Sequence, residues 1–301
     1  MISYFKILRP INCLMTSIAI FIGAFLVVKF GFTYELAYNI IFAMIAGFLI
    51  SGAGNTINDY IDVEADKINR PERPIPSGEI QRKTALVYSI VLFLVGILFA
   101  ALINWLALLI AVVNSILLVL YSLKLQNKIF LGNGAVSYLV GSSFLFGGAS
   151  VGNLLIPLML FILSFLTNFS REIVKDIEDL EGDKWEFLTK VKDRLKKSVE
   201  SVAERFGIKR GRIILKYNKN LAKNIATLML ILAVLFSPLP YLWGLLSHFY
   251  LVILIPTDIV FIFAAYQTLK ARKSRDFGKV SKNIKIGMAF GLIAFILGAV
   301  F

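Results

Sequence analysis

One cysteine and one histidine are all that 301 residues provide, and each shortage removes a class of chemistry. Cys13 has no second thiol in the chain, so an intramolecular disulfide is excluded. His248 is equally alone, which rules out a histidine-based metal centre. Any metal bound here is held by oxygen, a preference of hard divalent cations. Both lone residues read as ordinary packing, a small buried side chain and an interfacial ring.

Polarity is scarce as well. The hydrophobic share is 58% and the mean hydropathy +0.78, against roughly 45–50% apolar residues in soluble domains. A membrane-crossing helix needs about 20 predominantly apolar residues. Nine such runs can be laid down, over 11–30, 34–57, 84–103, 105–123, 134–151, 154–169, 221–243, 249–269 and 284–301. Lys6 and Arg9 precede the first run, as in a signal peptide, yet "FIGAFLVVKFGF" offers no small-residue cleavage site, so this helix is read as retained.

Positive charge is almost missing from one side. Of the 32 lysines and arginines, all but Lys29 fall in the N-terminal segment or after the second, fourth, sixth and eighth runs. By the positive-inside rule those segments are cytoplasmic, as is the N-terminus, and the C-terminus is extracytoplasmic. The net charge of +13 is therefore an orientation signal. A nucleic-acid partner is not expected, because the charge is spread over loop bases while the aromatics sit in the spans.

Against this background the acids stand out. In "NTINDYIDVEADKINRPERPIPSG", Asn55, Asn58, Asp59, Asp62 and Asp66 recur at spacings of three and four residues, which on a helix forms one stripe about 100° wide. After the sixth run, in "NFSREIVKDIEDLEGDK", Glu172, Asp176, Asp179 and Asp183 repeat the spacing of Asn55, Asp59, Asp62 and Asp66. Both acidic faces belong to the cytoplasmic ends of even-numbered spans, so both can look into one cavity near that surface. Carboxylates gathered this closely repel unless cations neutralise them. Carboxylate and amide oxygens without histidine or cysteine suit Mg²⁺, which usually shares its coordination shell with substrate phosphates. A solvated helix end explains neither the asparagines nor the repeated spacing.

The loop after the first acidic face carries Lys67, Arg70, Arg73, Arg82 and Lys83 among Pro71, Pro74 and Pro76. Prolines stiffen the backbone, and an arginine fork matches phosphate oxygens. A stiff basic loop beside a metal cluster reads as a phosphate clamp. Asp258 in "IPTDIV" falls mid-span, where an ionisable group is costly. It is read either as functional or as protonated and bonded to a neighbouring helix, and stays outside the proposed core site.

At these residues the chain resembles the UbiA superfamily of intramembrane prenyltransferases. The family's Asn-Asp-x-x-Asp-x-x-x-Asp motif is matched by Asn58, Asp59, Asp62 and Asp66, and its Asp-x-x-x-Asp motif by Asp179 and Asp183. "FKILRPINCLMTSIAIFIGAFL", "RPERPIPSG", "YSLKL" from Tyr121 and "LGNGAVSYLVGSSFLFG" from Leu131 extend the likeness over most of the first 184 residues. The resemblance implies an all-α membrane protein, nine helices in an isoprenoid-synthase-like bundle around a central cavity. It also implies two Mg²⁺ ions holding a prenyl diphosphate donor. Asn55, Asp59, Asp62, Asp66, Asp179 and Asp183 are then expected to hold metal, with Asn58 completing the catalytic motif. Arg9, Arg70, Arg73, Tyr121, Lys124 and Asp176, together with Asn55, are expected to bind substrate.

Among the family's branches the chain looks most like the archaeal ether-lipid enzymes, whose acceptor is the lipid phosphate geranylgeranylglyceryl phosphate. Release of diphosphate would leave an allylic carbocation that the acceptor hydroxyl attacks. An aromatic acceptor, of the quinone or chlorophyll type, is the alternative within the superfamily. Cation transport is the remote one, disfavoured because the acids lie at span ends rather than at the bilayer midplane.

One segment departs from the family pattern. Residues 184–220, between the sixth and seventh runs, keep apolar side chains at three-to-four spacing and are strongly basic. They are expected to form an amphipathic helix on an anionic cytoplasmic membrane surface, with a lid over the cavity as the alternative.

Overall fold

The computed structural model describes residues 2–126, 128–191 and 219–301, with 180–191 described through the backbone alone. The amphipathic helix expected over 184–220 therefore lies largely outside the described residues. Every regular element among them is helical: α1 (Ile2–Ile7), α2 (Pro10–Val28), α3 (Tyr34–Ile61), α4 (Val63–Asn69), α5 (Arg82–Ala101) and α6 (Trp105–Leu120) come first. A π-helical turn over Tyr121–Leu125 continues α6, and α7 (Ile129–Ser150), α8 (Leu155–Val191), α9 (Lys219–Phe236), α10 (Leu239–Leu242), α11 (His248–Lys270) and α12 (Ser274–Val300) follow. Among the described residues, nine helices are long and apolar enough to cross a membrane, one for each run read in the sequence.

The chain forms two compact units. One comprises the residues through Leu125 with Tyr138–Phe161; the other comprises Gln126–Ser137 with the described residues from Ile162 onward. In the first, α3 packs against α2, α5 and α6. Small residues make this possible: Ala43, Ala46, Ala100, Ala107 and Ala111 are fully buried around Ile20, Ile50 and Phe146. Without a hydrophobic force between helices in lipid, close backbone approach supplies the packing energy. A Cβ on Gly23 of α2 would run into the Phe144 carbonyl of α7, and one on Gly147 would run into the Ile20 carbonyl. Polar side chains cap the starts of α3 and α6. The Thr33 hydroxyl accepts from Leu36 N at 3.3 Å, and the Asn104 amide oxygen accepts from Ala107 N at 2.8 Å, satisfying donors that a helix start leaves orphaned.

In the second unit, Ile173, Val174 and Ile177 of α8 share a core with Ala222, Ala226 and Leu230 of α9, Phe261 and Ala264 of α11, and Phe277, Val280 and Ile284 of α12. Lys223 donates to the carbonyls of Leu269 and Ala271 at 2.5 and 3.0 Å, capping the carboxyl end of α11 where the helix dipole favours a cation.

Candidate active site

The first acidic stretch sits where α3 leaves the apolar region. The helix stops at Ile61, Asp62 takes φ −83° and ψ 9°, and α4 starts at Val63. The stripe expected on one helix is therefore carried across a bend. The hydrogen-bond register persists through it: Asp62 N donates to Asn58 O, Asp66 N to Asp62 O and Arg70 N to Asp66 O, at 2.8–2.9 Å. A three-to-four spacing cannot reveal such a bend, because the spacing survives it.

Asp59 and Asp66 are 2% and 7% exposed, and aspartates are rarely so buried unless paired. Here they are paired with arginine. Arg73 Nη1 donates to Asp59 Oδ1 at 2.9 Å and to Asp66 Oδ2 at 2.5 Å, and Arg9 Nη2 donates to the same Asp59 Oδ1 at 2.5 Å. Asn58 Nδ2 donates to Asp62 Oδ2 at 3.3 Å. The Asn55 amide donates to Leu8 O at 2.8 Å, which fixes its Nδ2 on the α1–α2 connection and leaves its Oδ1 as the acceptor end.

Both arginines are held by unusual backbone. Arg9 lies in the left-handed region, φ 54° and ψ 66°, directly before Pro10, where a following proline disfavours the right-handed helical conformation. Such a conformation in a non-glycine residue is costly and collects at functional sites. Arg73 belongs to a loop closed by its own hydrogen bonds: Arg73 N to Arg70 O, Ser77 N to Arg73 O and Ile80 N to Pro74 O. Gly78 supplies the positive φ of 81° that the turn requires. Ile75 and Ile80 anchor the loop in a cluster with Ile7, Val63 and Ala85. Lys6 Nζ ties α1 to the loop through Glu72 O at 3.1 Å. The Ser3 hydroxyl and then the Lys6 charge hold the exposed Glu79 carboxyl below its ordinary pKa.

The basic residues read as a phosphate clamp are placed differently from one another. Arg73 reaches the acids. Arg70 is exposed, Lys67 pairs with Glu64 at 3.1 Å, and the Arg82 guanidinium stacks 4.9 Å from the Tyr60 ring. Tyr121 and Lys124 lie on the π-helical turn, with Lys124 exposed; such turns are uncommon and recur at functional sites.

In the second unit, α8 carries the other acidic stretch past the apolar run. Asp176 Oδ2 accepts from Asn133 Nδ2 of α7 at 2.8 Å, and Glu172 is paired with Arg171. Asn168 Nδ2 donates to Ser137 Oγ at 3.2 Å. Asp179 is half-buried, and the side chain of Asp183 lies outside the described residues. All four of Asn133, Ser137, Asn168 and Arg171 escaped the sequence reading. Ser137 and Asn168 are polar groups inside apolar runs, the signal that marks them in the sequence; Asn133 and Arg171 lie just beyond the run ends, where nothing local sets them apart. Asp258 accepts from the hydroxyl of Ser237, the residue after α9, at 2.8 Å.

Asp59, Asp62, Asp66 and Asn55 offer hard oxygen donors and no others. Among the described residues no three His, Cys, Asp or Glu side chains converge as a metal cage. Mg²⁺ does not ask for one, since it takes one or two carboxylates and completes its shell with water and phosphate oxygens. The donor set fits an ion delivered with a phosphate ligand.

The helical fold and the asparagine–aspartate stretch define a family: residues 16–286 match the UbiA prenyltransferase family, and the chain belongs to it. It is a multi-pass membrane protein of that family. Digeranylgeranylglyceryl phosphate synthase of Methanosphaera stadtmanae is 37% identical over 296 residues, covering 98% of both chains. The enzyme of the same name from Methanococcus maripaludis strain C7 is 38% identical over 299 residues, 99% of this chain and 98% of its own. A solved structure concerning digeranylgeranylglyceryl phosphate synthase in membranes is 36% identical and superposes with a TM-score of 0.82, covering 99% of this chain and 98% of its own. A UbiA homologue from Archaeoglobus fulgidus bound to GPP and Mg²⁺ shares the fold at a TM-score of 0.61 with 15% identity, covering 97% and 99%.

Proposed function

We propose that this chain transfers a geranylgeranyl group from its diphosphate to the free hydroxyl of geranylgeranylglyceryl phosphate, a step of archaeal ether-lipid synthesis. The observation that carries the reading is full-length similarity, at 37–38% identity, to enzymes named for that product. The oxygen-only donor set beside Arg9 and Arg73 supports a diphosphate donor and Mg²⁺, with two ions the number the two acidic stretches suggest.

When bound, Mg²⁺ would neutralise the diphosphate and make it a better leaving group. Asp59, Asp62, Asp66 and Asn55 would hold an ion at the first stretch, and Asp179 and Asp183 are the residues that would hold one at the second. Asn58 orients Asp62, and Asn133 orients Asp176. Arg73, with Arg9 and the exposed Arg70, binds phosphate oxygens of the donor through charge-assisted hydrogen bonds. Tyr121 and Lys124 contact the substrates at the membrane rim, Lys124 taking the acceptor's phosphate. The allylic C–O bond breaks with its electron pair leaving on diphosphate. The acceptor oxygen then bonds to the allylic cation, and its proton passes to the released diphosphate, so no strongly basic side chain is needed. The N-terminus and this chemistry face the cytoplasm, by the distribution of lysine and arginine.

The test is to incubate the purified protein and Mg²⁺ with a panel of prenyl diphosphates and acceptors, identifying products by mass. Geranylgeranylglyceryl phosphate is expected to outperform 4-hydroxybenzoate. Its dephosphorylated form is expected to lose about 1.5–3 kcal/mol in kcat/KM, the worth of a hydrogen bond to a charged group. Equal rates without the phosphate, or preference for the aromatic acceptor, would reject the lipid assignment.

A further inference from the structure

Two of the carboxylates assigned to metal are already engaged by the arginines assigned to diphosphate. Asp59 Oδ1 receives both Arg9 Nη2 and Arg73 Nη1, and Arg73 Nη1 also reaches Asp66 Oδ2. An oxygen accepting two guanidinium hydrogen bonds has little lone-pair density left for an ion. A divalent cation approaching it also meets two positive groups within hydrogen-bond reach of the same atom, and like charges disfavour one another. Diphosphate changes the balance, because its oxygens offer arginine a bidentate partner of higher charge than an aspartate.

We propose that Arg9 and Arg73 are place-holding counter-ions: they occupy the oxygens a divalent ion takes and surrender them when diphosphate engages the guanidiniums. Metal and diphosphate thus bind as one unit, and neither binds tightly alone. The inference rests on the assignment of Asp59 and Asp66 as metal ligands. The exchange is a movement of side chains. The Arg73 backbone is fixed between its bonds to Arg70 O and from Ser77 N, with Pro74 buried beside it. Arg9 is fixed by its left-handed turn before Pro10. Thermodynamic reciprocity then requires that diphosphate tighten metal binding by the factor with which metal tightens diphosphate.

Arginine substitution should therefore move two affinities in opposite directions, which a purely structural salt bridge would not do. Mn²⁺ binding to the full-length protein in detergent, without diphosphate, is read from loss of the free-ion paramagnetic resonance signal. Arg73→Gln is expected to bind Mn²⁺ at least tenfold more tightly than wild type, while its KM for geranylgeranyl diphosphate rises at least tenfold. Arg9→Gln, which leaves the Arg73 bridge intact, should shift both in the same senses by less, and it decides the matter if Arg73→Gln does not fold. Adding Asp59→Asn to either variant should abolish the gain in Mn²⁺ affinity. Unchanged or weaker Mn²⁺ binding in the arginine variants, with Asp59→Asn still lowering it, would overturn the counter-ion role and leave the ligand assignment standing. Mn²⁺ binding indifferent to Asp59→Asn in every background would remove the ligand assignment itself, and the proposal with it.

Discussion

Asp59 and Asp258 both lie in apolar helices, and their surroundings keep them there by different means. Asp59 is matched by two guanidiniums. Asp258 has a hydroxyl, that of Ser237, whose own backbone carbonyl accepts from the Tyr250 phenol at 2.6 Å. A hydroxyl donor needs an acceptor oxygen and no charge, so Asp258→Asn should keep the bond and leave stability within about 0.5 kcal/mol of wild type. Asp258→Leu removes the acceptor and should cost about 1–2 kcal/mol, within the range for hydrogen bonds between membrane helices. Unfolding in detergent measures both; loss of transfer activity by a stable Asp258→Asn would show that its charge matters. At this scale the sequence is half legible. The acids announced themselves by periodicity, whereas Asn133 meets Asp176 across 43 positions of chain, a pairing that no local spacing encodes. Nor did the loop's composition tell Arg73 from Arg70, since direction comes from the buried Ile75 and Ile80 that seat the turn.

The helices themselves were the most readable level, because a span must be long and apolar whatever its neighbours. Their ends were less so. The sixth run was expected to stop near Phe169, but α8 continues to Val191, carrying the acidic stretch as one helix after hydropathy has faded. The bend at Asp62 and the π-helical turn at Tyr121 are backbone events inside unbroken patterns. Close contact between α2 and α7 leaves a sharper signature, the glycines at 23 and 147. Gly23→Ala and Gly147→Ala each press a methyl group against a carbonyl of the facing helix, which cannot rotate away. Each should destabilise by about 1–3 kcal/mol, the usual cost of overpacking. Gly31→Ala, whose nearest approach is an ordinary 3.4 Å contact, is the control expected to unfold like wild type.

For the molecule as a whole, the class was legible from composition and two short motifs, and family membership bears it out. Orientation rests on charge distribution and is open to a direct test. Cys13 is the sole cysteine and is buried, so single cysteines can be introduced at exposed positions in a Cys13→Ala background. On intact cells, a membrane-impermeant maleimide should label Asn153→Cys and spare Lys83→Cys; the reverse pattern would invert the topology. The Arg9–Asp59 contact has one more consequence. It joins the first residue before α2 to the last turn of α3, two neighbouring spans whose tilts adjust when the surrounding hydrocarbon is too thick or too thin for them. Any differential tilt alters the distance between a guanidinium and a carboxylate on which catalysis is proposed to depend. Turnover in reconstituted vesicles should therefore pass through an optimum as acyl chains lengthen, and Arg9→Gln should flatten it: the enzyme that builds the membrane's lipids would sense how thick that membrane is.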